Sequence, residues 1–241
     1  MLVIVLELVI LWLITRRLTQ NLYIGLFLLS KSRAIAIGII SFFFFLGTII
    51  HELSHLFVAE ILGVHTSGLT LTPEGLEESN VRTGSVMISQ TDPIRRAVIG
   101  IAPLFVGITT LTLLSTVLPN VYTQTMIDFQ NGIAFSQGNI YLLGLILYAF
   151  FAVSNTMFSS PEDMEGFPAV AITLSLIGAA AYFSGISVGL PQAWLDTIQQ
   201  TLSTLTTSMG YIVGFNLCLF ALSFGGISLA EKLSGRKIAR K

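Results

Sequence analysis

Long runs of apolar residues, separated by short polar segments, dominate the chain. A bilayer hydrocarbon core of about 30 Å requires roughly 20 apolar residues per helix. The first run, Met1 to Thr15, is marginal because it is short, contains Glu7 and ends at Arg16 and Arg17. Five further runs meet the criterion and cover residues 34–64, 97–118, 140–158, 167–190 and 208–230. The pattern therefore predicts an all-α polytopic membrane protein with about six transmembrane helices.

Three shorter segments have a different character. Residues 22–30 are too few to cross a bilayer, so we expect them at the interface. Residues 65–93 are rich in Thr, Ser and Gly and contain two β-like stretches, which predicts a small β-hairpin between spans two and three. Apolar residues recur at helical spacing between spans five and six, which predicts an amphipathic surface helix. These residues are Trp194, Leu195, Ile198, Leu202 and Leu205.

No internal repeat or low-complexity linker divides the chain, so we expect a single membrane-embedded domain over residues 1–241. Its predicted parts are an N-terminal span and interfacial segment (1–33), a core (34–166), and the C-terminal spans with a basic tail (167–241). The predicted loop at 119–139 is too short to hold a further domain.

Composition agrees with a membrane protein. The chain is 53% hydrophobic and only 10% charged, whereas soluble domains carry about 25% charged residues. Its 12 Lys and Arg do not exceed its 13 Asp and Glu, so nucleic-acid binding is not expected and the lipid bilayer is the predicted partner. Six spans would leave eight of the basic residues on one side and four on the other, which predicts that both termini and the hairpin are cytosolic. The single cysteine, Cys218, excludes an internal disulfide and suits a small apolar position in a helix.

One motif in the second span carries chemistry. Residues 51–55 read His-Glu-Leu-Ser-His, and a helix is expected because neighbouring residues contain neither Gly nor Pro. At this spacing His51 and His55 project from one helical face and can bind one zinc ion, with Glu52 as general base. An unpaired ionisable side chain at membrane depth costs on the order of 2.5 kcal/mol or more. A bound metal ion would compensate that cost for the clustered side chains.

A catalytic zinc usually has three protein ligands, so a third donor is required. Glu162, Asp163 and Glu165 follow the fourth apolar run and are the candidates, among which composition does not choose. The same segment also fits a solvated turn between helices, since Pro161 and Gly166 favour one.

The chain resembles the site-2 protease family of intramembrane zinc metalloproteases over roughly residues 34–166. The family has HExxH on one transmembrane helix and, on a later one, an Asn followed eight residues on by an Asp, as Asn155 and Asp163 are here. Residues 100–104, Gly-Ile-Ala-Pro-Leu, are similar to its Gly-Pro segment. The chain departs from the family pattern where Met164 and Glu165 separate Asp163 from Gly166, and where Val106 replaces an Asn.

The resemblance implies an intramembrane zinc metalloprotease. Zn²⁺ would be held by His51, His55 and Asp163, Glu52 would be the general base, and Asn155 would orient the substrate. The expected substrate is a transmembrane segment of another protein, held by strand addition to the hairpin at residues 69–90. Ser54, Ser159 and Ser160 are candidates to line or gate the water path. Sequence alone predicts neither the physiological substrate nor the oligomeric state.

Two other function classes fit parts of the pattern. A membrane metal-ion transporter could use the same His, Glu and Asp cluster as a transport site. It would need further polar residues across the bilayer, and spans three, five and six contain no carboxylate. A non-proteolytic scaffold would not need the intact HExxH motif.

Overall fold

The structure is a computed structural model that describes residues 2–71, 84–132, 139–158, 160, 163, 167–184 and 191–235. Within these residues the chain forms helices and one small sheet. The helices are α1 (Leu2–Ser30), α2 (Arg33–Ile61), α3 (Pro93–Gln130), α4 (Ile140–Thr156), α5 (Phe167–Phe183) and α6 (Gln192–Ser234), and the strands are β1 (Thr66–Thr70) and β2 (Ser85–Ile88).

Three helices in the described part of the chain are long and apolar enough to cross a membrane: Arg33–Ile61, Pro93–Gln130 and Gln192–Leu233. Two shorter apolar helices cover Ile140–Thr156 and Pro168–Ala180. The predicted helical, membrane-like architecture with a small sheet is thus confirmed. The count of six spans and the cytosolic position of both termini stay predictions.

The predicted ends of three helices were wrong. The first span and the interfacial segment are one helix, α1, because its sequence contains no Pro and charged residues alone do not end a helix. α3 continues past residue 118 to Gln130 despite Pro119, so most of the predicted 119–139 loop is helical. The amphipathic helix and the sixth span are likewise continuous in α6. The apolar-run criterion detects only the part of a helix that can lie in the bilayer, and these helices extend beyond that part.

The two predicted β-like stretches are confirmed as an antiparallel pair of strands, and residues 72–83 between them lie outside the described residues. Thr66 pairs with Ile88 and Thr70 with Ser85, with an irregularity between Ser67 and Leu69. Gly68 lies at that irregularity with φ of +78°, a conformation that glycine adopts without a steric penalty. Four residues separate the end of α2 from β1. Both strands contact α2, and Gly84, just before β2, lies against Thr48 and Glu52 in its second half.

Helix α2 packs against both α3 and α4, while α1 packs mainly against α6. Gly47 permits the contact between α2 and α4, because a Cβ atom there would overlap the Thr156 hydroxyl and the Ala152 carbonyl. Small residues allow such close helix contacts in membrane proteins. Buried residues from α1, α3, α4 and α6, together with Met157 just after α4, form the largest apolar cluster among the described residues. They are Leu11, Leu111, Val121, Ile146, Phe150, Val153, Met157, Met209 and Ile212.

Candidate metal centre

Two histidines on α2 form the centre of the site. His51 and His55 are one helical turn apart, and their Nε2 atoms are 3.3 Å from each other. The rings stand nearly perpendicular, at 79°, with centroids 4.9 Å apart. The i, i+4 spacing predicted from the sequence therefore brings the two Nε2 atoms together.

The other nitrogen of each ring faces a backbone carbonyl. His51 Nδ1 lies 2.6 Å from the Thr156 carbonyl oxygen on α4, and His55 Nδ1 lies 2.8 Å from the Ile99 carbonyl oxygen on α3. A carbonyl can only accept a hydrogen bond, so each Nδ1 carries the hydrogen and each neutral ring keeps a lone pair on Nε2. Histidines that bind metals commonly hold their second nitrogen this way.

Asp163 completes the cluster from the connection between α4 and α5. Its Oδ1 lies 3.5 Å from His55 Nε2 and its Oδ2 lies 3.8 Å from His51 Nε2. The Ser160 backbone N–H and hydroxyl both donate to Asp163 Oδ2, at 2.8 and 2.7 Å. Both hydrogen bonds from Ser160 favour the ionised form of this carboxylate. The carboxylate is therefore ionised at neutral pH.

Helix α3 fixes the position of the Asp163 backbone. A Cβ atom at Gly100 would overlap the Asp163 carbonyl. Only glycine permits this approach, so the residue after Ile99 also sets the distance between α3 and the Asp163 turn. Gly100 begins the Gly-Pro segment noted in the sequence, and it touches the predicted ligand directly.

The side chains of His51, His55 and Asp163 are arranged so that they could hold a metal ion such as zinc. One ligand atom from each of His51, His55 and Asp163 lies within 4.8 Å of the other two. Two nitrogen ligands at about 2.0–2.1 Å from a tetrahedral zinc lie about 3.3 Å apart, which matches the Nε2 separation. Two lone pairs and a carboxylate facing one point repel each other unless a cation lies between them. Two histidines and one carboxylate are also a known ligand set of catalytic zinc.

Glu52 lies beside the ligands and is buried, with 7% of its surface exposed. Gly84, the residue before β2, lies against it: a Cβ atom there would be 2.9 Å from Glu52 Oε1 and from Thr48 Cγ2. The Thr48 hydroxyl is buried and has no hydrogen-bond partner among the described residues. The start of β2 thus covers the side of α2 that carries Glu52.

Asn155 lies on α4 one residue before Thr156. Its side-chain N–H₂ group donates to the Phe151 carbonyl at 2.8 Å and to Asn216 Oδ1 at 3.2 Å. Asn216 on α6 is fully buried, and its own amide donates to Ser154 Oγ at 3.0 Å. The Asn155 Oδ1 atom is buried and has no partner in the described part of the chain. Sequence reasoning gave Asn216 no role, although it is the one Asn in the sixth apolar run.

The remaining predicted residues have mixed outcomes. Glu162, Glu165 and Ser159 lie outside the described residues. Ser54 is buried and donates to the His51 carbonyl at 2.6 Å, so its hydroxyl bonds within α2. Ser160 binds Asp163.

Comparisons of the chain with protein-family models, with curated proteins and with solved structures found no match.

Proposed function

We propose that this protein is an integral, multi-pass membrane zinc metalloprotease that cuts within or near transmembrane segments of other proteins. The observation that carries the proposal is that Asp163 lies close to His51 and His55. Both histidines and Glu52 are on α2, a helix apolar enough to cross a membrane. This combination supports the resemblance to the site-2 protease family.

His51, His55 and Asp163 would hold the zinc ion. When bound, zinc would polarise the scissile carbonyl and lower the pKa of a water molecule toward about 7. The carbonyls of Thr156 and Ile99 keep both Nε2 lone pairs directed at the site. The hydrogen bond from the Ser160 hydroxyl orients the Asp163 carboxylate. The protein thus supplies both the ligands and the groups that orient them.

Glu52 would act as the general base. Its carboxylate accepts the proton from the attacking water and then delivers a proton to the leaving amine. It is next to a ligand in sequence and buried, so the carboxylate is held near the site rather than in bulk water.

The sheet would hold the substrate. Helical hydrogen bonds shield the carbonyls of a transmembrane segment, so the segment must unwind before it is cut. An unwound peptide can bind by adding a strand to an exposed sheet edge. Gly84 brings the start of β2 against Glu52, so a peptide paired with this sheet would run past the general base. Asn155, whose Oδ1 has no hydrogen-bond partner among the described residues, would orient the same peptide, as the resemblance implies.

The test compares the wild type with Glu52→Gln and with His51→Ala, using bound zinc and cleavage of a single-span reporter protein as readouts. We expect Glu52→Gln to keep zinc, because all three ligands remain, and to lose cleavage by a factor of about 100 or more. We expect His51→Ala to lose both. Wild-type cleavage by Glu52→Gln, or full zinc content and activity in His51→Ala, would overturn the proposal.

The same protein in zinc-loaded vesicles tests the transporter alternative. Zinc flux that depends on His51, in a protein that does not cut the reporter, would favour a transporter over a protease.

A further inference from the structure

We infer that Pro103 is a positioning residue for His55, because its missing N–H leaves the Ile99 carbonyl free to accept the His55 hydrogen bond. The inference deepens the proposed function and rests on the metal site described for it.

The helical register of α3 pairs the carbonyl of Ile99 with residue 103. In an α-helix the carbonyl of residue 99 would accept the N–H of residue 103. Residue 103 is proline, which has no N–H and whose ring pushes against the carbonyl four residues earlier. The Ile99 carbonyl therefore lacks its helical partner.

Burial keeps water away from the Ile99 carbonyl. Ile99 is 1% exposed and Pro103 is also fully buried, so water does not replace the missing N–H. An unpaired backbone carbonyl in such a place costs about 1–3 kcal/mol. His55 Nδ1, 2.8 Å away, supplies the hydrogen bond. The Ile99 carbonyl, which Pro103 leaves without a helical partner, thus accepts the hydrogen bond from His55 across the contact between α3 and α2.

The hydrogen bond to Ile99 decides which nitrogen of the His55 ring carries the hydrogen. A hydrogen bond from Nδ1 holds the hydrogen there, and the lone pair on Nε2 faces His51 and Asp163. An N–H at residue 103 would compete for the Ile99 carbonyl and weaken the preference for the hydrogen on Nδ1 of His55. His51 needs no such device, because Thr156 is in the last turn of α4, where helix carbonyls have no partner.

The chain contains a matched control in the same helix. Pro119 is also inside α3, and it frees the carbonyl of Ser115 in the same way. Pro119 is exposed and lies sixteen residues, more than four turns, beyond Pro103. Replacing Pro119 with Ala thus restores a helix hydrogen bond without touching the site.

The experiment uses the full chain in lipid nanodiscs with three changes: Pro103→Ala, Pro119→Ala, and L-lactic acid in place of residue 103. Lactic acid has the methyl group of alanine but no N–H, so it separates the N–H from the proline ring. The readouts are zinc affinity and the ¹⁵N NMR shifts of His55 in the metal-free protein, which report which ring nitrogen carries the hydrogen.

We expect Pro103→Ala to weaken zinc affinity by about tenfold and to change the His55 shifts. Pro119→Ala and the lactic acid protein should match the wild type in both readouts. Wild-type affinity and shifts in Pro103→Ala would overturn the inference. If Pro103→Ala does not fold, the lactic acid protein decides alone: wild-type values support the inference, and weak binding with altered shifts overturns it.

The readouts also separate this inference from the proposed function. The His55 shifts in metal-free protein report the hydrogen bond whether or not the protein cuts peptides. A wild type that binds zinc but does not cleave the reporter would reject the protease and leave the Pro103 result standing.

Discussion

At the scale of single residues, Asp163 is held in the site by its hydrogen bonds and lies close to both histidines. It receives two hydrogen bonds from Ser160 and lies within 4 Å of both Nε2 atoms. We expect Asp163→Ala to lower zinc affinity and abolish cleavage, because only two ligands remain. Glu162→Ala and Glu165→Ala should keep the metal. Zinc stoichiometry in the three variants checks this, and metal loss in Glu162→Ala with retention in Asp163→Ala would contradict it.

Gly84 offers a way to disturb Glu52 without touching a ligand. An Ala side chain at residue 84 would press on Glu52 Oε1 and on Thr48. We expect Gly84→Ala to lower kcat while zinc content stays at the wild-type level, since His51, His55 and Asp163 are untouched. Reporter kinetics with parallel metal analysis measure both effects. A Gly84→Ala protein with unchanged kcat would show that Glu52 tolerates movement and that β2 does not define its position.

At the scale of elements, the position of α3 sets the position of the Asp163 turn. Gly100→Ala would force the two apart, because the new Cβ atom and the Asp163 carbonyl cannot occupy the same space. A displacement of about 1 Å at such a site can cost a factor of about 100 in rate, so we expect a cleavage loss of that order together with weaker zinc binding. Gly144→Ala in α4 is the control, as nothing lies within 4 Å of its Cβ position. Equal activity in the two variants would refute the packing argument.

The start of α3 is capped by Asp92, whose carboxylate accepts hydrogen bonds from the N–H groups of Ile94 and Arg95. The hydrogen bond from Arg95 is the largest factor that holds the pKa of Asp92 below its ordinary value. Because the folded-state pKa is below the unfolded value of about 3.9, the ionised carboxylate stabilises the folded protein. This stabilisation is fully present above the unfolded pKa and is lost as the pH falls through the folded pKa. We therefore expect Asp92→Ala to lower the melting temperature at pH 7 and to differ less from the wild type near pH 3. Asp92→Asn should keep much of the cap, because an amide oxygen also accepts these bonds. A difference between Asp92→Ala and the wild type that does not shrink in acid would contradict the assignment.

At the scale of the whole molecule, a bound metal would connect α2 to the chain after α4. A ligand that binds only the folded state stabilises it by about 2.7 kcal/mol at 100 times its Kd. We expect zinc at that concentration to raise the free energy of unfolding of the wild type by this amount, and chelation to reverse it. His51→Ala should show no rise. Denaturant unfolding with and without zinc measures the difference, and an equal rise in both proteins would place the zinc elsewhere.

The sequence predicted the helical class, the hairpin and the helix that carries His51 and His55, because these depend on local patterns. It did not predict that α1, α3 and α6 continue beyond their apolar runs, because apolar length marks only the membrane-crossing part of a helix and because Pro119 is normally a signal that ends one. The carbonyl partners of the two histidines were also out of reach. Those contacts join residues 105 and 44 positions apart, which no single-chain spacing rule specifies.

These sequence separations have a consequence for biosynthesis. His51 and its carbonyl partner Thr156 are 105 residues apart, and Asp163 follows later still. A chain leaves the ribosome from its N-terminus at about 5–20 residues per second, so α2 and α3 are made several seconds before the third ligand. During that interval the nascent chain has two imidazoles and a carboxylate beside them but no closed metal site. The order of synthesis thus delays assembly of the proposed metal centre until Asp163 has emerged, after α4.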